Sequence, residues 1–134
     1  MRRYDRPNEE VIEISVRVLK LDEVLPEDLP VRLIKIDVEG AELQVMRGAQ
    51  AVLRRWHPYV VFEHGLGAAD HYGTRPEAVF DLLTDCALRL SLMKDWIDSG
   101  GKDNLGCKQL VEEFETSRNF CFSRIPSYQV VKYP

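Results

Sequence analysis

Apolar residues along the chain follow two different periods, which predicts strands that alternate with helices. Residues 31–38 and 59–62 are nearly continuous apolar runs, typical of strands that are buried on both faces. Residues 88–93 predict a third core strand, and residues 120–125 a last strand with alternating apolar positions. Residues 11–18 alternate apolar and polar side chains, which predicts a half-exposed strand.

Between these strands the apolar residues recur every three or four positions, as on one face of a helix. This period predicts a helix over residues 41–56, with Gly48 inside it. Gly48 either kinks that helix or admits a close neighbour. Residues 19–30 fit a short helical turn and a connector, and residues 109–114 a short helix.

A further helix is predicted to begin near Thr74 and to run to Cys86. Thr74 and Glu77 have the spacing of a capping box, and Pro76 falls in the first turn, where its missing N–H does no harm. Residues 95–104 are polar and contain two consecutive glycines, so they are predicted to form a loop.

Strands that alternate with helices predict an α/β fold, with a mostly parallel sheet and flanking helices. Ligands of such sheets bind beyond the carboxyl ends of the strands. Asp37, Glu39, Glu63 and His64 come directly after the predicted buried strands, and they are therefore the candidate functional residues.

Length and composition exclude several classes of protein. The 134 residues fit one domain over residues 11–134, preceded by a polar leader over residues 1–10. The net charge of −4 argues against a nucleic-acid partner, and no apolar run is long enough to predict a membrane span. The three cysteines are widely spaced, which indicates reduced thiols and predicts a cytoplasmic protein.

Three segments together resemble the FkbM family of methyltransferases. They are residues 33–42 (LIKIDVEGAE), residues 45–49 (VMRGA) and residues 58–63 (PYVVFE), with a Leu-Asp-Glu element upstream at residues 21–23. The resemblance implies a class I methyltransferase (Rossmann-like) fold, with S-adenosylmethionine as the cofactor. It also implies O-methylation of a hydroxyl on a sugar or other small-molecule acceptor. The strands would be the fourth to seventh of that fold, so the N-terminal cofactor half is expected to be missing.

The resemblance also suggests roles for single residues. Asp37 would border both the donor methyl group and the acceptor, as a catalytic and cofactor-binding residue, or else cap the following helix. Glu39 and Gly40 would lie at the cofactor, although a structural role at the turn is the alternative, as it is for Glu42.

Glu63 and His64 would bind the acceptor or serve as a base. Alternatively, Glu63 is a carboxylate bound by loop amides and His64 is an exposed side chain beside it. Asp70 and His71 are expected to be solvated.

Other interpretations stay open. The run from Glu63 to Gly67 has the Glu-x-Gly-x-Gly form of a donor-binding turn, which would make residues 59–62 the first strand of the fold. A metal site built from Asp37, Glu63 and His64 is conceivable, but no metal is predicted. A non-catalytic remnant or interaction module is the alternative function. Its open sheet edge would be covered in a homo-oligomer or by a complementing N-terminal half.

Overall fold

The computed structural model of the protein describes residues 14–67, 69–116 and 119–124. Strands and helices alternate over most of this length, as predicted. The helices are α1 (Leu21–Val24), α2 (Glu42–Arg47), α3 (Gln50–Trp56), α4 (Pro76–Asp85), α5 (Met93–Asp98) and α6 (Cys107–Thr116). The strands are β1 (Leu33–Ile36), β2 (Tyr59–His64), β3 (Arg89–Leu92) and β4 (Asn119–Arg124), and a 3-10 turn spans Ala69–Tyr72.

The described strands form one sheet in the order β1-β2-β4-β3. β1 and β2 are parallel neighbours, whereas β4 lies between β2 and β3 and is antiparallel to both. β1, β2 and β3 therefore run in the same direction, and β4 runs against them. The prediction of an α/β fold with flanking helices is confirmed, but direct parallel pairing is limited to β1 and β2.

The hydrophobic core lies on one face of this sheet. The strand registers align Ile34, Val60 and Leu90 in one row across the sheet, and Ile36 and Phe62 in the next. The helices α2, α3, α4 and α6 cover these rows with buried apolar side chains, among them Leu43, Met46, Leu53, Val79, Leu83 and Leu110. Each large apolar side chain buried in this way stabilises the fold by roughly 1.5–3 kcal/mol.

β1 differs from the prediction of a strand that is buried on both faces. The side chain of Leu33 is 61% exposed, Lys35 is exposed, and Ile36 is buried. The prediction was wrong because β1 has a described strand on one side only. In addition, α2, α3, α4 and α6 pack on the face of the sheet that carries Ile34 and Ile36, opposite to the face of Leu33 and Lys35. An apolar run in the sequence does not reveal that a strand has only one covered face.

The predicted strand over residues 11–18 is wrong for its described part, and residues 11–13 lie outside the described residues. Residues 14–20 form no helix or strand. The alternating side chains of Ile14, Val16 and Val18 are 78%, 72% and 87% exposed. The alternation is suited to a strand, but no described strand pairs with this segment.

The predicted helix over residues 41–56 is divided into α2 and α3 at Gly48 and Ala49. A Cβ added at Gly48 would lie 3.4 Å from the Cα of Lys20. Both alternatives for Gly48 are therefore correct, because the helix is interrupted there and a neighbouring segment packs closely against it.

Two predictions about the second half of the chain were wrong in detail. α4 begins with Pro76 as expected, but no side chain caps it, and Thr74 is buried. The N–H of Thr74 bonds to the carbonyl of Ala69, which ties Thr74 to the preceding 3-10 turn. The predicted loop at residues 95–104 contains most of α5, which ends where Gly100 and Gly101 take left-handed backbone angles.

Candidate functional site

The turn from β1 to α2 carries most of the candidate residues. Glu39 and Gly40 have positive φ angles of 50° and 105°. Gly40 is buried, and its N–H donates a hydrogen bond to Oε1 of Glu42 over 2.9 Å. Glycine adopts such an angle without strain, so Gly40 allows the chain to leave the strand and enter the helix within a few residues.

Glu42 is a buried carboxylate at the start of α2. Its side chain is 2% exposed, and Oε2 has no hydrogen-bond partner among the described residues. The hydrogen bond that Oε1 accepts from the N–H of Gly40 stabilises the turn, which agrees with the structural role that the sequence suggested for Glu42. Glu39 is exposed, beside that turn.

Asp37 and Glu63 lie at the same end of the sheet. Ile36 pairs with Phe62 across the parallel strands, and Asp37 and Glu63 each follow that pair by one residue. Neighbouring strands are about 4.8 Å apart, and side chains alternate between the two faces. The two carboxylates therefore leave the chain side by side on the face away from the core.

The Asp37 side chain is 60% exposed and Oδ2 accepts a hydrogen bond from Nζ of Lys35 at 2.7 Å. This ion pair restricts the carboxylate without covering it. A solvent-accessible carboxylate held in this way can accept a hydrogen bond from an incoming hydroxyl group.

His64 lies on the opposite face, within the core. Its side chain is 3% exposed, and its ring lies 4.8 Å from the ring of Phe114, measured between centroids. Neither ring nitrogen has a hydrogen-bond partner in the described part of the chain. Burial lowers the pKa of His64 to about 4, so the imidazole is neutral at pH 7. The structure thus separates His64 from Glu63, and it excludes the alternative of an exposed histidine.

A groove of about 780 Å³ lies along the edge of β1 that faces away from β2. One wall is the segment from Val18 to Val24, and the other is formed by Ala41 and the α2 face that carries Gln44 and Val45. Asp37 lines the groove together with the strand residues Ile34 to Val38. The groove combines an apolar lining with a carboxylate at the carboxyl end of β1.

Comparison with known proteins decides the family. The model of the Methyltransferase FkbM domain matches residues 2–90, a stretch that includes β1, β2 and the turn from Asp37 to Glu42. The chain belongs to this family. No curated protein matches the chain, and no solved structure does.

Residues 63–67, at the end of β2, were the alternative candidate for a turn that binds the methyl donor. In this FkbM domain the segment has a different local structure from the one its sequence suggests. The N–H of Gly67 donates a hydrogen bond to Oδ1 of Asp70 over 2.6 Å, so this amide is already used within the loop. β2 itself is an interior strand between β1 and β4. Asp70 is exposed, as predicted, but it holds the loop.

Asp22 has a structural role in the FkbM domain that the sequence did not reveal. Its carboxylate accepts hydrogen bonds from the main-chain N–H groups of Ala51 and Val52, in the first turn of α3. α3 has no capping side chain at Ala49, so Asp22 supplies the cap from a distant part of the chain. No sequence spacing signals a cap that is about thirty residues away.

Two further classes of feature are absent from the described ranges of the FkbM domain. No three His, Cys, Asp or Glu side chains there are grouped so that they could hold a metal ion. Among the helices in those ranges, none has the length and apolar character that crossing a bilayer requires.

Proposed function

We propose that this FkbM domain takes part in methyl transfer from S-adenosylmethionine to a hydroxyl group of a sugar or other small metabolite. The observation that carries the proposal is the position of Asp37, an accessible carboxylate at the carboxyl end of β1 that opens onto the groove. Ligands of parallel α/β sheets bind at that end. Family membership supports the transfer of a methyl group.

The proposal extends to the fold. We assign β1, β2, β3 and β4 to the fourth, fifth, sixth and seventh strands of a class I methyltransferase sheet. The parallel pair β1 and β2, followed by helices that cover one face, supports this assignment. The edge of β1 away from β2, along which no described strand lies, would then be the side on which the earlier strands of the sheet belong.

The residues along the groove fit the cofactor. Its apolar walls suit an adenine ring, and a carboxylate suits the cofactor's hydroxyl groups and positive charge. Asp37 would hold the cofactor from the end of β1, beside the turn formed by Glu39 and Gly40. When bound, S-adenosylmethionine supplies a methyl group activated by a positively charged sulfur.

The chain's own contribution is to orient the acceptor. Asp37 would accept a hydrogen bond from the acceptor hydroxyl and direct its oxygen toward the methyl carbon. It would take the proton as the C–O bond forms and the bond from the methyl carbon to sulfur breaks, which leaves the sulfur as a neutral thioether. Glu63 offers a second carboxylate on the same face for another hydroxyl of the acceptor. Transfer of a methyl group requires the three reacting atoms to be in line, so this positioning supplies most of the rate enhancement.

Binding and turnover test this proposal separately. S-adenosylmethionine should raise the midpoint of thermal unfolding, because a ligand at 100 times its Kd stabilises the native state by about 2.7 kcal/mol. Asp37→Asn should reduce this shift and abolish methylation of a panel of sugars. Asp98→Asn is the matched control, since Asp98 is also an exposed carboxylate paired with a lysine.

No thermal shift at millimolar donor would contradict a donor site in this chain. Unchanged turnover by the Asp37→Asn variant would instead remove the catalytic role assigned to Asp37 and leave the donor site standing.

A further inference from the structure

The three strands that run in the same direction reach the carboxyl end of the sheet at one level. The strand registers align Ile36, Phe62 and Leu92 in one row across the sheet. The next residue along each of these strands therefore belongs to a second row, at the end where ligands of such sheets bind. The members of this second row are Asp37, Glu63 and Met93.

Met93, the first residue of α5, leaves the sheet on the side of the two carboxylates. Leu92 has the extended backbone angles φ −69° and ψ 140° and packs against the core. Because side chains alternate between the two faces of a strand, the following residue points to the opposite face, which carries Asp37 and Glu63. α5 also contacts β4, the strand between β3 and β2, so the helix lies on the side of β3 that faces Glu63.

α5 carries apolar side chains that the core does not use. No side chain of this helix is buried. Met93, Trp96 and Ile97 have the spacing of one helix face. Met93 and Trp96 are partly buried, and Ile97 is 62% exposed. An apolar surface of this kind at the binding end of a sheet is suited to a ligand.

The spacing of the strands sets the size of a ligand that touches both regions. Since neighbouring strands are about 4.8 Å apart, Met93 lies about 10 Å from Glu63 and about 14 Å from Asp37. A single sugar ring held by the two carboxylates is too short to cover α5 as well. A molecule that joins a sugar to an apolar group can place its hydroxyls at the carboxylates and the apolar group on the helix.

We propose that the methyl acceptor is a glycoside with a flat apolar aglycone, and that the aglycone lies against the α5 face formed by Met93, Trp96 and Ile97. The indole of Trp96 supplies a ring that suits an aromatic aglycone. This inference rests on the proposed function and narrows its acceptor. The α5 face sets specificity, whereas Asp37 acts at the hydroxyl that receives the methyl group.

Calorimetry with two matched series of glycosides tests the inference. The probes are the nitrophenyl and the methyl glycosides of glucose, galactose, mannose and rhamnose, each added in the presence of S-adenosylhomocysteine. For the preferred sugar, the nitrophenyl glycoside should bind on the order of tenfold more tightly, because it buries apolar surface on α5. Ile97→Ser should weaken the nitrophenyl series about fivefold and leave the methyl series unchanged.

Leu29→Ser is the matched control. Leu29 is also an exposed apolar residue, at 46%, but it precedes β1 and therefore lies toward the opposite end of the sheet. This substitution should change the affinity for neither series. Circular dichroism should show that both serine variants are folded.

Fluorescence locates the aglycone. The chain has two tryptophans, so Trp56→Phe leaves Trp96 as the remaining one. The nitrophenyl glycoside should quench the emission of Trp96, and the methyl glycoside of the same sugar should not. The affinities measured in wild type do not depend on how this variant folds.

Equal affinities for the two series would overturn the inference, as would an Ile97→Ser variant that weakens both series alike. A protein that binds S-adenosylmethionine but none of the glycosides would overturn it too and leave the donor site standing. If neither the donor nor any glycoside binds, the proposed function fails together with the acceptor class that rests on it.

Discussion

The carboxylate of Asp22 accepts a hydrogen bond from the main-chain N–H of Val52 at 3.0 Å. Its second oxygen accepts from the N–H of Ala51 at 2.9 Å, and the N–H of Asp22 itself donates to the carbonyl of Gly48 at 3.0 Å. Asp22 thus fastens α1 to the interruption between α2 and α3. The bond to Gly48 also holds α1, in one wall of the groove, against the end of α2, whose face forms the other wall.

Removing this cap should destabilise the fold. Asp22→Ala leaves two N–H groups of α3 without a side-chain acceptor, so the free energy of unfolding should fall by about 1–2 kcal/mol. Urea unfolding followed by circular dichroism measures this change. Glu23→Ala is the control, because Glu23 makes an exposed ion pair with Lys20, and its loss should cost less than about 0.5 kcal/mol. Equal effects of the two substitutions would show that the cap contributes nothing.

Gly40→Ala should strain the turn between β1 and α2. Gly40 has a φ of 105°, a conformation that residues with a Cβ rarely adopt, so the substitution should cost about 1–3 kcal/mol of stability. Thermal unfolding of Gly40→Ala against Gly106→Ala checks this. A Cβ at Gly106 would meet Oε1 of Gln109 at 3.4 Å, a contact that a flexible side chain can relieve. A Gly40→Ala protein as stable as wild type would show that the turn tolerates a Cβ.

The stability of the protein should decrease as the pH falls from about 6.5 to about 4. Burial lowers the pKa of His64 from 6.5 to about 4 in the folded state, so in this window the unfolded chain binds a proton that the folded chain does not. The effect is absent above pH 6.5. It grows to roughly 3 kcal/mol at pH 4, since one pKa unit corresponds to about 1.4 kcal/mol.

His64→Phe isolates this contribution, because a phenyl ring keeps the contact with Phe114 and has no titrating nitrogen. The difference in unfolding free energy between wild type and this variant, measured at each pH, should show the slope. A difference that stays constant from pH 7 to pH 4 would contradict a buried, neutral His64.

Cys86 should react slowly with alkylating reagents in the native state. It is 1% exposed, and burial raises the pKa of its thiol, so little thiolate is available and little of it is accessible. Cys107, which is only partly buried, provides the internal comparison. Mass spectrometry of peptides after timed iodoacetamide labelling should show Cys107 modified well before Cys86, and the difference should vanish in denaturant.

The sequence identified the elements that depend on local patterns. β1, β2, β3 and α4 lie where the periodicity predicted them, because an apolar run or a helical stripe reflects burial against the core. The candidate turn after β1 was found in the same way. The role of Gly40 followed from its position between a strand and a helix, where a left-handed backbone angle is required.

Local sequence patterns predicted the wrong secondary structure where contacts between distant residues determine it. Residues 14–18 alternate as a strand does, but a strand forms only when another strand pairs with it. α5 was missed because it is short, none of its residues is buried, and it precedes two glycines, which in the structure end the helix and do not mark a long loop. Thr74 has the spacing of a cap, but its N–H is bound to the preceding turn.

The amino-acid sequence by itself determined the family, the alternation of strands and helices, and the set of polar residues that follow the strands, because these features depend on neighbouring positions. Tertiary structure decided where those residues lie relative to one another. The register of β1 and β2 brings Asp37 and Glu63 to one face, and the alternation of side chains turns His64 into the core. Faces and edges arise only when strands pair, and no single segment contains that information.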